Sequence, residues 1–251
     1  MVEDERLKAQ LARQRQWYVE PWRYLLTGKV LPHHEGSSPR ALDVGCGPGL
    51  VMESLADLLD VQGVDIDPSM VRACLGRGLR ASLADAMDLP FEDGSFDLVY
   101  CSFLLVWVDR PERAVQEMLR VSRDWVACLA EPDYAARIDH PPELSRLTSL
   151  IVEGARRQGG DPCLGRKLRS IFSALGANAE IGVHQGTWPL ERLRQESAAE
   201  WEWMEGMIGD AAEEGELAEL RVVWERALQE GSLLQCNPTF HALARKGAPL
   251  R

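Results

Sequence analysis

The sequence predicts an α/β protein in which helices cover both faces of a parallel sheet. Two observations carry this. Short apolar runs alternate with amphipathic helical stretches from residue 40 to about residue 132. The first run passes through closely spaced glycines into a helix and then a second strand, a unit about as long as a right-handed parallel crossover requires. A chain of 251 residues, 45% hydrophobic and 27% charged, is long enough to bury such a core.

In order along the chain, residues 4–26 place Leu7, Leu11, Tyr18, Trp22 and Leu25 on roughly one helical face, with Pro21 expected to break or restart the helix and Gly28 to end it. After the loop LPHHEGSSP come the strand RALDVGC, a glycine turn and the helix GLVMESLADLL. The strand VQGVDID follows, then a helix opening on PSMVRACL. Further strands are expected at RASLAD (80–85), FDLVYCSFLL (96–105) and DWVACLAEP (124–132), with the amphipathic helix RPERAVQEMLRV (110–121) between the last two. Past Tyr134 the chain reads as a loop, a helix from near Pro142, a Gly-Gly-Asp-Pro exit, a helix from Leu164 stopped at Gly176, and a strand at 179–188. Residues 190–230 read as two helices, the second opening with Asp210 and Glu213 in capping-box spacing and ending at Gly231. PTFHALARK (238–246) reads as a last strand.

Composition excludes several function classes. A net charge of −11 argues against a broad phosphate-binding surface, so no nucleic-acid partner is expected. The start of the chain has no apolar leader, and the longest apolar run, VYCSFLLVWV (99–108), is too short to span a bilayer; a soluble cytoplasmic protein is expected. Six widely spread cysteines, without a CxxC pair or a histidine at ligand spacing, predict reduced thiols and no metal site. The segment 191–230 has 12 acids against 4 arginines, which reads as the solvated face of two helices, and Trp201, Trp203, Met204 and Met207 within it read as core. His33 and His34 need no role, and His184 and His241, in expected strands, read first as structural histidines.

The chemistry starts at ALDVGCGPGL (41–50). A strand running into Gly45, Gly47 and Gly49 and then a helix is predicted to offer free N–H groups and a helix N-terminus to an anionic part of a ligand, with no side chain in the way. The same unit puts Asp65 at the end of the second strand, where an acid can accept bonds from both ribose hydroxyls, while Asp67 begins the turn into the next helix. These features point to an adenosine-containing cofactor. The dinucleotide fingerprint GxGxxG is not completed, because Leu50 stands at its last position.

DVGCGPG (43–49), GVDIDPSM (63–70) and ADAMDLPFEDGSFDLVYCSFLLVWV (84–108) together resemble the class I S-adenosylmethionine-dependent methyltransferases, within them the methyltransferase type 11 group. The resemblance is close over residues 40–134 and faint at the final strands. It implies a doubly wound, Rossmann-like sheet of seven strands, the last antiparallel, with helical insertions. The domain plan is then a helical cap over 1–36, a core over 37–134, a helical insertion over 135–163, core again over 164–188, an acidic helical insertion over 189–231 and a final core strand within 232–251. It further implies that Gly45, Cys46, Gly47 and Gly49 lie against the methionine part of S-adenosylmethionine, with Asp43 ordering the loop. Asp65, followed by Ile66, would hold the ribose, Asp85 with the backbone of Ala86 and Met87 would read the adenine edge, and Cys101 or Ser102 would line the methionine amine. After the helix at 111–123 many relatives carry proline and glycines where this chain reads RVSRDWV, so that turn is built differently.

Methyl transfer is an in-line displacement on an activated carbon, to which a protein contributes mainly alignment and desolvation. Where the acceptor must lose a proton, a base is expected beyond the fourth to sixth strands, with Glu131, Asp133, Tyr134 and His184 as candidates. Tyr18, Trp22, Phe103 and Tyr134 are candidate substrate contacts, the first two through a lid formed by the N-terminal helix, although packing is the first reading of that helix. CSFLL replaces the Asn/Asp-Pro-Pro-aromatic block that handles amide and base nitrogens. A small-molecule acceptor is therefore expected. A protein or tRNA acceptor, or a non-catalytic S-adenosylmethionine-binding role, is the alternative.

Overall fold

The structure, a computed structural model, describes residues 2–247 except 35, 37 and 185, and the side chains of residues 2–6 are also outside it. Positions 1, 35 and 37 of the expected cap and loop, and 185 of the expected strand, lie outside the described residues.

The first apolar run becomes β1 (Arg40–Val44), with four of its five residues buried. It pairs in parallel with β2 (Asp60–Asp65) on one side and with β4 (Phe96–Cys101) on the other. β3 (Ala81–Leu83) adds beyond β2, and β5 (Ser122–Pro132) beyond β4. With β9 (Thr239–Arg245) and β7 (Ala179–His184) the order is β3-β2-β1-β4-β5-β9-β7, and the last strand is antiparallel. The chain leaves β1 toward β2 and β3, then returns to lay β4 on the opposite side. The carboxyl ends of β1 and β4 are therefore the topological switch point of the sheet, where open α/β sheets bind ligands.

Two compact units are distinguished. One holds residues up to 131, 168–182 and those from 241 on; the other holds 132–167 and 183–240. In the first, α1 (Val2–Leu25) sinks Tyr18, Trp22 and Leu25 among Leu98 and Tyr100 of β4 and Leu129 of β5. Pro21 does not break this helix. The proline costs about 3 kcal/mol in a helix interior, whereas each large apolar side chain buried beside it returns roughly 1.5–3 kcal/mol. The helix widens only afterwards, into a π-helical turn Leu26–Val30 that contains Gly28 rather than stopping at it. α2 (Leu50–Leu55) follows the glycine loop, and Arg15 and Arg23 of α1 pair with Glu53 and Asp57 along it.

α3 (Pro68–Gly76) begins as its sequence dictates: Pro68 needs no N–H, and Asp67 accepts from Ser69 N at 2.7 Å. α4 (Pro111–Val121) buries Ala114, Val115, Met118 and Val121 at helical spacing. The missing Pro-Gly turn is replaced by a direct passage: β5 starts at Ser122, the residue after the helix, with Ser122 Oγ donating to Trp125 O across an irregular pairing with Phe96 and Leu98. β4 ends at Cys101 rather than running to Leu105, for a reason given below.

The second unit contains two strands absent from the sequence reading. β6 (Ile138–His140), in the stretch expected as loop, pairs antiparallel with β8 (Leu234–Cys236). At three residues each they are too short to show a period. α5 (Ser145–Arg157) is preceded by a 3-10 turn at Pro142–Leu144, and α6 (Leu164–Ala174) crosses the boundary between the units. α7 (Leu190–Ile208) and α8 (Glu216–Glu230) are the two acidic helices. α8 does not open at the Asp210–Glu213 box; it starts after Gly215, and the reciprocal contact falls three residues later, where Glu216 Oε2 accepts from Glu213 N at 3.0 Å. Arg137, whose side chain is fully buried, pairs with Asp139 at 2.8 Å and faces Glu200 at 3.7 Å. Among the described residues no helix is long and apolar enough to cross a membrane.

Gly154 of α5 meets the end of α7 so closely that an added Cβ would lie within 2.9 Å of three backbone atoms of Met207 and Ile208. Gly154→Ala is expected to lower stability by about 1–3 kcal/mol through overpacking, read as a fall in the urea midpoint at unchanged slope; an unshifted midpoint would show that this contact is loose.

Candidate functional site

The glycine loop leaves β1 at the switch point. Gly45 N and Cys46 N both donate to Val64 O, at 2.8 and 2.9 Å, and Gly49 N turns back to Cys46 O at 3.0 Å. Gly47 N donates to Asp65 Oδ2 at 2.8 Å. The loop's N–H groups are thus spent inside the loop and on β2, contrary to the expectation that they stand free for an anion. Carbonyl oxygen is the backbone group it has left, and carbonyls suit an ammonium, not a pyrophosphate. Each glycine has its own reason: a Cβ on Gly45 would sit 2.7 Å from Leu104 Cδ1, and one on Gly49 2.8 Å from Cys74 Sγ. A Cβ on Gly47 would meet only Leu11 of α1, at 3.8 Å, so this glycine marks the loop's open side, under the helix.

Asp65, not Asp43, ties the loop. Its other oxygen accepts from Asp67 N at 2.9 Å, so each oxygen takes one backbone donor and has a second acceptor position. Asp43 lies beneath, 1% exposed, cross-strand from Tyr100, with its Oδ2 lacking a hydrogen-bond partner among the described residues. Burial holds its carboxyl well above the usual range, against the pull of the Tyr100 hydroxyl and helped by the Asp65 charge. The Cys46 thiol donates to Gly47 O at 3.6 Å and packs into a cluster with Met52 and Cys74 that Gly63, lacking a side chain, makes room for. Burial first, then the neighbouring Asp43, raises that thiol far above its ordinary value.

At the ends of β2 and β3, Ile66 and Leu83 are 68% and 58% exposed, an apolar pair that the fold itself does not cover. Asp85 accepts from Met87 N at 2.8 Å and shapes the turn that includes Ala86. Two arginines that the sequence reading missed brace this turn from α4: Arg113 donates to Met87 O at 3.0 Å, and Arg120 to Leu89 O and Phe91 O at 2.8 and 2.7 Å. Glu117, buried on the same helix, accepts from Leu89 N at 3.0 Å, and Arg120 holds its carboxyl below the usual range. Their i, i+3 and i, i+4 spacing on α4 was visible; the loop they brace was not.

The end of β4 is set by Glu131. Phe103 N donates to Ala130 O at 2.7 Å, and the next three N–H groups, of Leu104, Leu105 and Val106, donate to the Glu131 carboxylate at 3.1, 3.1 and 3.3 Å. The strand therefore stops, Phe103 takes φ +55°, and a 3-10 turn forms at Leu105–Trp107. Cys101 Sγ lies 3.6 Å from Glu131 Oε1, so this thiol faces the acid. The buried Ser102 Oγ has no partner among the described residues. Of the aromatic candidates, Phe103 meets Tyr18 edge-on at 5.4 Å, and Trp22, 2% exposed, packs in the core behind Tyr18.

The remaining candidates belong to the second unit. Asp133 is committed: both oxygens take the Arg166 guanidinium, at 2.6 and 2.7 Å, and Oδ2 also accepts from Arg166 N. Tyr134, 8% exposed, tilts against Trp203 at 5.9 Å. His184 ends β7, 9% exposed. Trp201, Met204 and Met207 are buried, as core.

Residues 42–126 match the family profile described as a methyltransferase domain. Among curated proteins, a demethylmenaquinone methyltransferase of Renibacterium salmoninarum is 39% identical over 109 residues, 41% of this chain and 43% of that protein. Ajmaline N-methyltransferase of Rauvolfia serpentina is 34% identical over 102 residues, 36% of this chain and 35% of that protein. The aligned part thus spans less than half the length of either relative. A solved structure of a SAM-dependent methyltransferase from Archaeoglobus fulgidus shares the fold at a TM-score of 0.52 and 19% identity, over 97% of this chain and 94% of that one.

Gly47 has φ +52°, where an alanine costs about 1–2 kcal/mol. Gly47→Ala is expected to leave the protein folded, with a melting temperature lowered by a few degrees, and to weaken S-adenosylmethionine binding in calorimetry by at least about tenfold, because the methyl group occupies the open side. Unchanged affinity would place the ligand elsewhere.

Proposed function

We propose, from the premise that this chain carries a methyltransferase domain of the class I S-adenosylmethionine-dependent kind, that it transfers a methyl group from that cofactor to a small-molecule acceptor by in-line displacement. The observation that carries the reading is the glycine loop at the switch point, closed on itself by Asp65 so that its own N–H groups are used within the fold and its glycines offer bare backbone.

The residues fit this cofactor. Ser102 Oγ is buried without a partner among the described residues, a hydroxyl suited to the methionine ammonium. Asp65 has acceptor capacity left for the ribose, Ile66 and Leu83 offer exposed apolar surface to a flat base, and the turn that Asp85 shapes through Met87 N offers the other Asp85 carboxyl oxygen and Ala86 N to its edge. When bound, the cofactor supplies an activated methyl group on a sulfonium. The chain's own part is then to hold the donor still and keep water out. α1 serves the second task, with Leu11 over Gly47 and Tyr18 against Phe103.

A small acceptor is supported by the absence of the amide-handling block at CSFLL and by relatives whose names specify demethylmenaquinone and ajmaline. For an acceptor that must lose a proton, Tyr134 and His184 are the proposed groups, since Asp133 is held by Arg166.

Calorimetry should show micromolar binding of S-adenosylmethionine and none of NAD; the reverse would sink the proposal. Asp65→Ala removes two charge-assisted hydrogen bonds, worth about 1.5–3 kcal/mol each, and is expected to weaken binding by at least about tenfold. Label from methyl-labelled cofactor that appears only in protein or RNA of a fractionated lysate would move the acceptor to the macromolecular alternative.

A further inference from the structure

We propose that Glu131 is a positioning residue: its carboxylate gathers the N–H groups of Leu104, Leu105 and Val106 and so holds the turn after β4 against the glycine loop. The inference rests on the S-adenosylmethionine reading above and assigns Glu131 a role other than that of a base.

The carboxylate is fully buried and has no lysine or arginine paired with it among the described residues. Its charge is met by three N–H groups in consecutive residues, at 3.1, 3.1 and 3.3 Å, at the start of a 3-10 turn. A base must present an oxygen to its substrate. Here Oε1 takes Leu104 N, Leu105 N and the Cys101 thiol, and Oε2 takes Val106 N. The turn it holds carries three features of the site. Leu104 fills the space beside Gly45, Phe103 is forced to positive φ and meets Tyr18 of α1, and Ser102 presents its unpartnered hydroxyl.

Burial pushes the Glu131 carboxyl up to about 7, with the three N–H groups pulling the other way. The titratable group in contact with it is the Cys101 thiol of β4, itself raised well above its usual value by its strand neighbour Cys128 and by burial; Asp43 of β1 lies beyond. With the Cys101 thiol held neutral, the carboxyl is the group of this pair that changes charge near neutrality. The ionised form is the one the N–H groups hold, so the turn is tightest above about pH 7 and loosens as pH falls through it. Global stability runs oppositely. A carboxyl raised by burial contributes most below its unfolded range, near 4.5, and that contribution is lost as pH rises toward 7.

The test follows the amide resonances of Leu104, Leu105 and Val106 by NMR, without cofactor, from about pH 6 to about pH 8. A shared midpoint near 7 in the wild type, absent in Glu131→Gln, is expected; three amides that do not titrate together overturn the proposal. In calorimetry, wild-type affinity for S-adenosylmethionine should fall about tenfold from pH 8 to pH 6, as the competent fraction falls. Glu131→Gln should be about tenfold weaker than wild type at pH 8 and flat with pH. Leu104→Ala should be weaker at every pH with the wild-type slope. Glu131→Gln with wild-type cofactor affinity but lost turnover would restore the base and refute positioning. Titrating amides in a protein that binds no S-adenosylmethionine would instead refute the cofactor reading and leave the clamp standing.

Discussion

The carboxylate of Asp65 is the constraint on which the rest of the site depends. It ends β2, accepts from Gly47 N of the loop after β1 and from Asp67 N ahead of α3, so one side chain closes the glycine loop and leads into the next helix. Asp67 then caps α3, and Val64 O, one residue earlier, takes two more loop N–H groups. Five backbone donors are fixed within four residues of chain. Strand register makes this possible: Val44 lies opposite Val64, and slipping β2 by one residue would turn Asp65 to the other face of the sheet.

Close packing beneath the loop limits what can stand there. Cys46, Met52 and Cys74 form a small sulfur cluster under the turn, and Gly63 has no side chain because a Cβ would lie 2.7 Å from two of those sulfurs. A loop lifted by one methyl group would lose Asp65, since a hydrogen bond of 2.8 Å has little slack. The loop is therefore shaped from both sides, by Asp65 above and by sulfur packing below.

Much of this was legible in the sequence because it is local. The strand-glycine-helix unit, the Asp67-Pro68 helix start, the amphipathic stripe of α4 and the Gly231 stop each lie within a dozen residues and follow from period and cap chemistry. What was not legible depends on partners distant in the chain. Pro21 was tolerated because β4 and β5 bury its neighbours, and β4 stopped four residues early because Glu131, 26 residues on, takes the N–H groups that a continuing strand would need. β6 and β8 are nearly a hundred residues apart and too short to carry a period of their own. The glycine spacing located the loop correctly and still misled about its N–H groups, since spacing says nothing about where donors point.

How the buried acids are satisfied separates the site from the rest of the molecule. Glu117, Asp133 and Asp139 are each met by an arginine, so their charge is neutralised within the fold. At or near the carboxyl ends of β1, β2, β3 and β5, the buried Asp43 and Glu131 and the half-buried Asp65 and Asp85 have no arginine or lysine paired with them among the described residues; backbone N–H groups meet Asp65, Asp85 and Glu131, the last together with the Cys101 thiol, and Asp43 Oδ2 has no partner there. Hydrogen bonds from N–H groups stabilise an anion without cancelling its field. The carboxyl edge of the sheet consequently lacks the fixed positive charge that an arginine or lysine would bring, while burial raises the carboxyls of Asp43 and Glu131 and so favours their neutral forms. A phosphate-bearing cofactor would find no cation from these partners to pair with. A ligand that carries a sulfonium and an ammonium would supply the positive charge that the fold itself withholds, which makes the missing arginines as informative about the proposed donor as the glycines that first pointed to it.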